Sequence, residues 1–329
     1  MIREPAFVAE RSERWKSFEQ ALEGNVQLPA GQLSELFVEV TDDLAYAQTF
    51  YPGSRTTAYL NALARRAHGA LYTRRRLDRG AVARFWGETV PQALYEARRP
   101  LLVSLILFGL AVVVGWVSEA NDDGYARLIL GDQYVNMSIE NIKSGDPMGV
   151  YKKMNEIDMF LGITINNVRV SLLAFAAGLL PVLGVPYVLG VNGFMVGAFQ
   201  GFFAGEGLLG ETARTIWIHG TLEIASIIVA GAAGLCITAG LLFPGTLTRL
   251  ESFKRSVRRG AIIVIGLVPM FVVAGALEGF VTRHTDMPLV LALAIIGGSM
   301  AFNVWYFAVY PRRVGTQGSA SILQQTSTA

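Results

Sequence analysis

The sequence predicts an all-α fold: a polytopic helical membrane protein with about six transmembrane helices and an N-terminal cytoplasmic helical domain. Three observations lead there. Of the 329 residues, 52% are hydrophobic and 16% charged, and the mean hydropathy is +0.40, far too apolar for a soluble domain of this size. Half of the 28 Lys and Arg residues fall before residue 100, so the net charge of +2 conceals a polar beginning and an apolar remainder. The stretch Trp217–Gly234, WIHGTLEIASIIVAGAAG, is apolar enough to cross a membrane yet carries His219 and Glu223. A charge there costs roughly 2.5–3.5 kcal/mol on insertion scales, so both side chains must face protein or water.

Residues 1–99 read as helices. Phe7, Val8, Trp15, Phe18 and Leu22 recur at three- and four-residue steps among charges and form one apolar stripe that ends at Gly24. Two further helices are predicted over 32–50 and 54–72, separated by the turn Tyr51, Pro52, Gly53. Arg74, Arg75, Arg76 and Arg79 then make a basic cluster suited either to anionic lipid head groups or to solvent. The segment RFWGETVPQALYEARR, with aromatic residues between basic ends, reads as an interfacial helix leading into the bilayer. No signal peptide opens the chain and the first long apolar run begins at Leu101, so residues 1–99 are expected in the cytoplasm.

Six spans are expected near 100–117, 159–180, 186–204, 214–242, 261–282 and 288–310, within a membrane domain covering 100–313. Arg249, Lys254, Arg255, Arg258 and Arg259 crowd the link between the fourth and fifth spans, and Arg312 and Arg313 follow the sixth, which places both termini in the cytoplasm. Residues 118–158 then form an extracytoplasmic insert. It has eight acidic and four basic residues and reads as two short helices, serving as a docking surface or as a cap on the bundle. Residues 314–329, polar and small, are expected to be disordered. The single Cys236 permits no intrachain disulfide. No nucleic-acid partner is expected.

Depth arithmetic gathers the intramembrane polar residues. At about 1.5 Å per residue, His219 and Glu223 on the fourth span, Glu278 on the fifth, Asn166, Asn167 and Arg169 on the second and Gln200 on the third reach similar outer-leaflet depths. Arg169 paired with Glu223 or Glu278 is the expected static account of their charge. Ser226, Ala230 and Gly234 continue the His219–Glu223 stripe with small side chains, as a helix contact would. Gly178, Gly193, Gly197, Gly220, Gly231, Gly234, Gly275 and Gly279 are read as helix-packing positions, within one chain or between copies in a homo-oligomer.

These residues also carry a resemblance. The runs MFLGITINNVRVSLLAFAAGLLPVLGVPYVLGVNGFMVGAF, IHGTLEIASIIVAGAAG and AGALEGFVT resemble the stage II sporulation protein M family of bacterial and archaeal membrane proteins. The shared pattern falls on Asn166, Asn167, Gly178, Asn192, Gly193, His219, Gly220, Glu223 and Glu278; Ile218 stands where many members have Pro. The N-terminal DLAYAQTFYPGSRTTAYLNALARRAHGALY is similar to the helices of the family's non-sporulation members. The resemblance implies a polytopic membrane protein and implies no enzymatic activity, and the cell inner membrane is the expected location. It also implies a place in an envelope-associated complex, and homologues of this kind resemble those encoded beside MoxR-type ATPases and RDD-domain membrane proteins.

Three functions remain open at this point. The first is a non-catalytic partner or scaffold among membrane lipids and other membrane or envelope proteins, with no cofactor and no catalytic residue. The second is a transporter or channel using the Asn, His, Glu and Arg site. The third is a membrane-embedded metallohydrolase with His219, Glu223 and Glu278 as zinc ligands, although H-E-x-x-H and G-x-S-x-G are both absent. His68 and His284 have no partner at a metal-binding spacing and are read as solvated or core residues.

Overall fold

The computed structural model describes residues 3–23, 30–72, 79–149, 155–284 and 287–316, and among them every regular element is helical. The basic residues Arg74, Arg75 and Arg76 and the tail from 317 onward lie outside the described residues, whereas 314–316 continue the last helix. The chain forms two compact units that divide between Arg79 and Gly80.

Among the described residues the first unit has three helices, α1 (Glu4–Leu22), α2 (Ala30–Phe50) and α3 (Arg55–Tyr72). Their apolar stripes close on Phe7, Trp15, Phe18, Val40, Leu60 and Leu63, all buried. Gly53 takes a positive φ of 81°, which turns α2 into α3. Asp43, buried at 3% exposure, accepts a hydrogen bond from Trp15 Nε1 at 2.7 Å and pairs with Arg11. The Tyr59 hydroxyl donates to Glu19 at 3.0 Å, and Arg66 bridges Glu19 and Glu23.

The second unit begins with α4 (Arg79–Arg84), a π-turn at Phe85–Thr89 and α5 (Val90–Glu96). Then come α6 (Arg98–Asn121), α7 (Tyr125–Leu130), α8 (Asp132–Lys143), α9 (Glu156–Ala176), α10 (Gly184–Gly205), α11 (Leu209–Leu242), α12 (Arg249–Ala276) and α13 (Leu289–Val304). Six of them, α6 and α9–α13 with their short extensions, are long and apolar enough to cross a membrane. Local signals set their starts. Asn155 caps α9 by accepting from the Ile157 N–H, and Thr248 caps α12 by accepting from the Glu251 N–H.

One face of the segment 84–99 packs into the second unit while Glu88, Thr89, Glu96, Arg98 and Arg99 stay exposed, and the unit boundary falls about twenty residues before the expected 99. Val90, Ala93, Leu94 and Ala97 are buried in the membrane-domain core. Trp86 Nε1 donates to the Gly266 carbonyl at 3.1 Å, and the hydroxyls of Tyr306 and Tyr310 donate to the carbonyls of Trp86 and Gly87 at 2.9 and 2.8 Å. The aromatic residues that mark a membrane interface are used here as hydrogen-bonded wedges between helices.

Helix α11 is the central element, packed by α6, α9, α10, α12 and α13. Small residues let backbones approach. A Cβ on Gly193 would stand 2.6 Å from Ala111 Cβ, and one on Gly197 2.7 Å from the Trp116 nitrogen, so α10 lies in close contact with α6. Gly231 lies against Ser104 and Leu189, Gly234 against Ala174 and Val185, and Gly178 against Gly234. The stripe that suggested self-association is therefore consumed inside one chain. Interhelical hydrogen bonds from Ser104 to the Ile228 carbonyl, at 2.6 Å, and from Thr238 to the Gly178 carbonyl, at 3.0 Å, reinforce these contacts.

Helices α7 and α8 cap one end of the bundle. Ala126, Val135 and Met148 pack on Phe202 and Phe203 of α10. The Glu119 carboxylate, at the end of α6, accepts the Ala126 N–H and ties the cap down.

Candidate functional site

At the capped end the polar residues of four helices meet around α11. His219 and Glu223 lie one turn apart on α11, as i,i+4 spacing requires. Glu278 comes from a π-turn, Leu277–Thr282, that ends α12, and π-turns of this kind frequently accompany functional positions. Each of the three offers a ligand-type atom, and these atoms lie within 4.8 Å of one another.

The hydrogen-bond network orients the imidazole. His219 Nδ1 stands 3.0 Å from Thr282 Oγ1, while the Thr282 hydroxyl donates to the Leu277 carbonyl at 3.1 Å. With its proton spent on Leu277, the Thr282 oxygen accepts from Nδ1–H, so Nε2 presents its lone pair. That nitrogen faces Glu278 Oε2 at 3.5 Å, and the two side chains are only 6% and 13% exposed. Gly279, under which a Cβ would crowd Phe160 at 3.1 Å, and Gly275, against Thr164, allow α9 to approach the π-turn.

Asn167 is 1% exposed and turns its amide toward Glu223, yet its Nδ2 has no partner at hydrogen-bonding geometry. The pair is close without a formed bond. Thr164, one turn earlier on α9, also has a buried hydroxyl with no partner. Beside this cluster is a cavity of about 370 Å³ lined by Asn166, Asn167, Asn192, Gln200, His219, Gly220 and Glu223 on its polar side and by Phe108, Met195, Phe199 and Trp217 on its apolar side. Tyr134 of the cap lines it too. Glu278 is not among the lining residues and joins the site through His219.

Arg169 is not part of the cluster. It is exposed, and among the described residues no Arg or Lys pairs with Glu223 or Glu278; Arg283 pairs with Glu156 at 2.8 Å. Helical phase is the reason. Two residues turn an α-helix by about 200°, so with Asn167 facing the bundle Arg169 must face away. Asn166, about 100° from Asn167, is exposed and still lines the cavity. Asn192 lines the cavity while its Nδ2 donates to its own helix, at Val188, over 2.8 Å. Gly220 is not a close-packing position either: a Cβ there would meet only ordinary contacts of 3.6 Å or more, and its missing side chain leaves room in the cavity.

Sequence reasoning missed Tyr134, which sits on cap helix α8 more than thirty residues before the first polar lining residue, Asn166. It also missed Asn303 of α13, whose Nδ2 donates to the Thr221 carbonyl at 2.8 Å while its buried Oδ1 has no partner.

Comparison with known proteins agrees with this architecture. Residues 5–73 match a domain of unknown function, DUF8413. No curated protein matched, and no solved structure did. The family model of stage II sporulation protein M matches residues 104–283, more than half of the chain and all of the His219, Glu223 and Glu278 site. With its six membrane-length helices, the chain is a multi-pass membrane protein that belongs to the stage II sporulation protein M family.

Proposed function

We propose that this chain is a non-catalytic partner in an envelope-associated membrane complex, held in the inner membrane with both termini in the cytoplasm. One observation carries the reading. Arg169 is exposed near the middle of a span, thirteen residues after Glu156 and ten before Leu179. A guanidinium facing hydrocarbon at that depth costs roughly 2.5–3.5 kcal/mol, and a neighbouring membrane protein with an acidic or carbonyl-rich face at the same level removes that cost. The positive-inside bias supports the orientation, and the family supports a membrane role.

The test is Arg169→Leu in the full-length chain, with cross-linking in native membranes. The variant is expected to insert and keep its helical content while losing its cross-linked neighbour. An unchanged set of cross-links refutes the proposal. A second reading, a transport site, is favoured by the cavity beside His219 and Glu223; it predicts that Glu223→Gln folds normally and loses all biological activity.

A further inference from the structure

We propose that His219, Glu223 and Glu278 bind a divalent transition cation, zinc being the ion this donor set fits, with one coordination position left toward the cavity. The inference stands apart from the partner reading and does not depend on it.

Two carboxyl groups and an imidazole are gathered between two membrane spans with no Lys or Arg paired to either acid among the described residues. A buried carboxyl without a counter-charge is neutral only while it holds its proton, and a divalent cation displaces both protons and balances the two carboxylates at once. Orientation follows. The Thr282 hydroxyl holds Nδ1–H, so Nε2 is directed at Glu278 as an unprotonated donor. A ligating histidine held through its other ring nitrogen is the usual outer-shell arrangement of metal sites.

Spacing is compatible. Ligand atoms about 2.0–2.2 Å from one zinc stand roughly 3.4 Å apart in a tetrahedral shell. His219 Nε2 and Glu278 Oε2 are already 3.5 Å apart, and the whole set lies within 4.8 Å. Closing the remaining ångström or so needs only rotation of glutamate side chains, which have three rotatable bonds. Independently, the buried amide of Asn167 is aimed at Glu223 without a formed hydrogen bond. It is placed to hold the free carboxylate oxygen once the other oxygen ligates, or to offer its own carbonyl oxygen. His219 and Glu223 line the cavity of about 370 Å³, which supplies an entry path and room for a water on the open position. The imidazole selects a transition metal over magnesium or calcium, which prefer all-oxygen shells.

The experiment uses the full-length protein, extracted without chelator through a tag lacking histidine and dialysed against zinc, manganese or magnesium chloride. Elemental analysis should find about one zinc per chain, and X-ray absorption a shell of nitrogen and oxygen near 2.0–2.1 Å with one imidazole. His219→Ala and Glu278→Gln should each lower zinc at least fivefold at unchanged helical content, whereas His68→Ala should not. Wild-type protein without zinc, zinc retained by both variants, or uptake of magnesium alone each overturns the proposal. If the variants fail to fold, the wild-type shell decides: sulfur ligation or no imidazole overturns it.

Discussion

At the scale of single residues, buried polar groups decide where this chain is vulnerable. Glu223→Ala removes one of two acids beside Asn167 and His219, leaves the buried Asn167 amide facing a void and should cost roughly 1–3 kcal/mol, whereas Glu223→Gln keeps the shape and should be milder. Detergent-resistant yield of the two variants measures the difference; equal yields contradict it. In the first unit, Asp43→Ala strands the Trp15 indole N–H and the Arg11 guanidinium. A loss of roughly 2–3 kcal/mol is expected, read as faster proteolysis of residues 3–72 in the full chain. Tyr59 provides a pH signature. Burial, and then its hydrogen bond to Glu19, raise its phenol from 10.0 to about 12. The folded state therefore holds that proton more tightly than the unfolded one. The stability this contributes is complete below pH 10 and is lost as pH rises through about 12. Tyr59→Phe should reduce that alkaline loss, followed by circular dichroism; an identical alkaline transition in both proteins counts against the assignment.

At the scale of elements, the face of a helix matters more than its composition. Gly193, Gly197 and Gly201 repeat at four-residue steps and seat α10 on the backbone of α6. Gly197→Val should force the two helices apart and cost roughly 1–3 kcal/mol or more, while Gly109→Val on α6, which has open space around it, should be tolerated. Thermal unfolding in detergent separates the two, and equal midpoints defeat the packing account. The same logic explains Arg169. Its depth is legible from spacing along α9, and so, in hindsight, is its direction, because Asn167 and Arg169 cannot share a face. The wedge made by the π-turn Phe85–Thr89 was not legible, since Trp86, Tyr306 and Tyr310 serve an interface or a helix junction equally well until their partners are known.

At the scale of the whole molecule, the arrangement of spans and cap sets which end of the cluster faces which compartment. The single native cysteine, Cys236, is buried, so introduced cysteines report cleanly. Lys143→Cys, exposed on the cap, should react with an impermeant maleimide from outside the cell, and Arg258→Cys, exposed on α12, only after permeabilisation. Reversed labelling overturns the orientation and with it the outer-leaflet placement of the site.

By itself the sequence determined the helical class, the six spans and the common level of Asn167, His219, Glu223 and Glu278, because hydrocarbon thickness and a fixed rise per residue convert spacing into depth. It also determined that acids placed there need partners. Tertiary structure alone decided who those partners are. Arg169 turned outward, Thr282 accepted the Nδ1–H hydrogen bond of His219, one face of α5 joined the core, and the glycine stripes were used within one chain. Depth is a local property of one helix, whereas partnership depends on the rotation and close packing of different helices, which bring together residues more than fifty apart along the chain such as Glu223 and Glu278 and which no single span encodes.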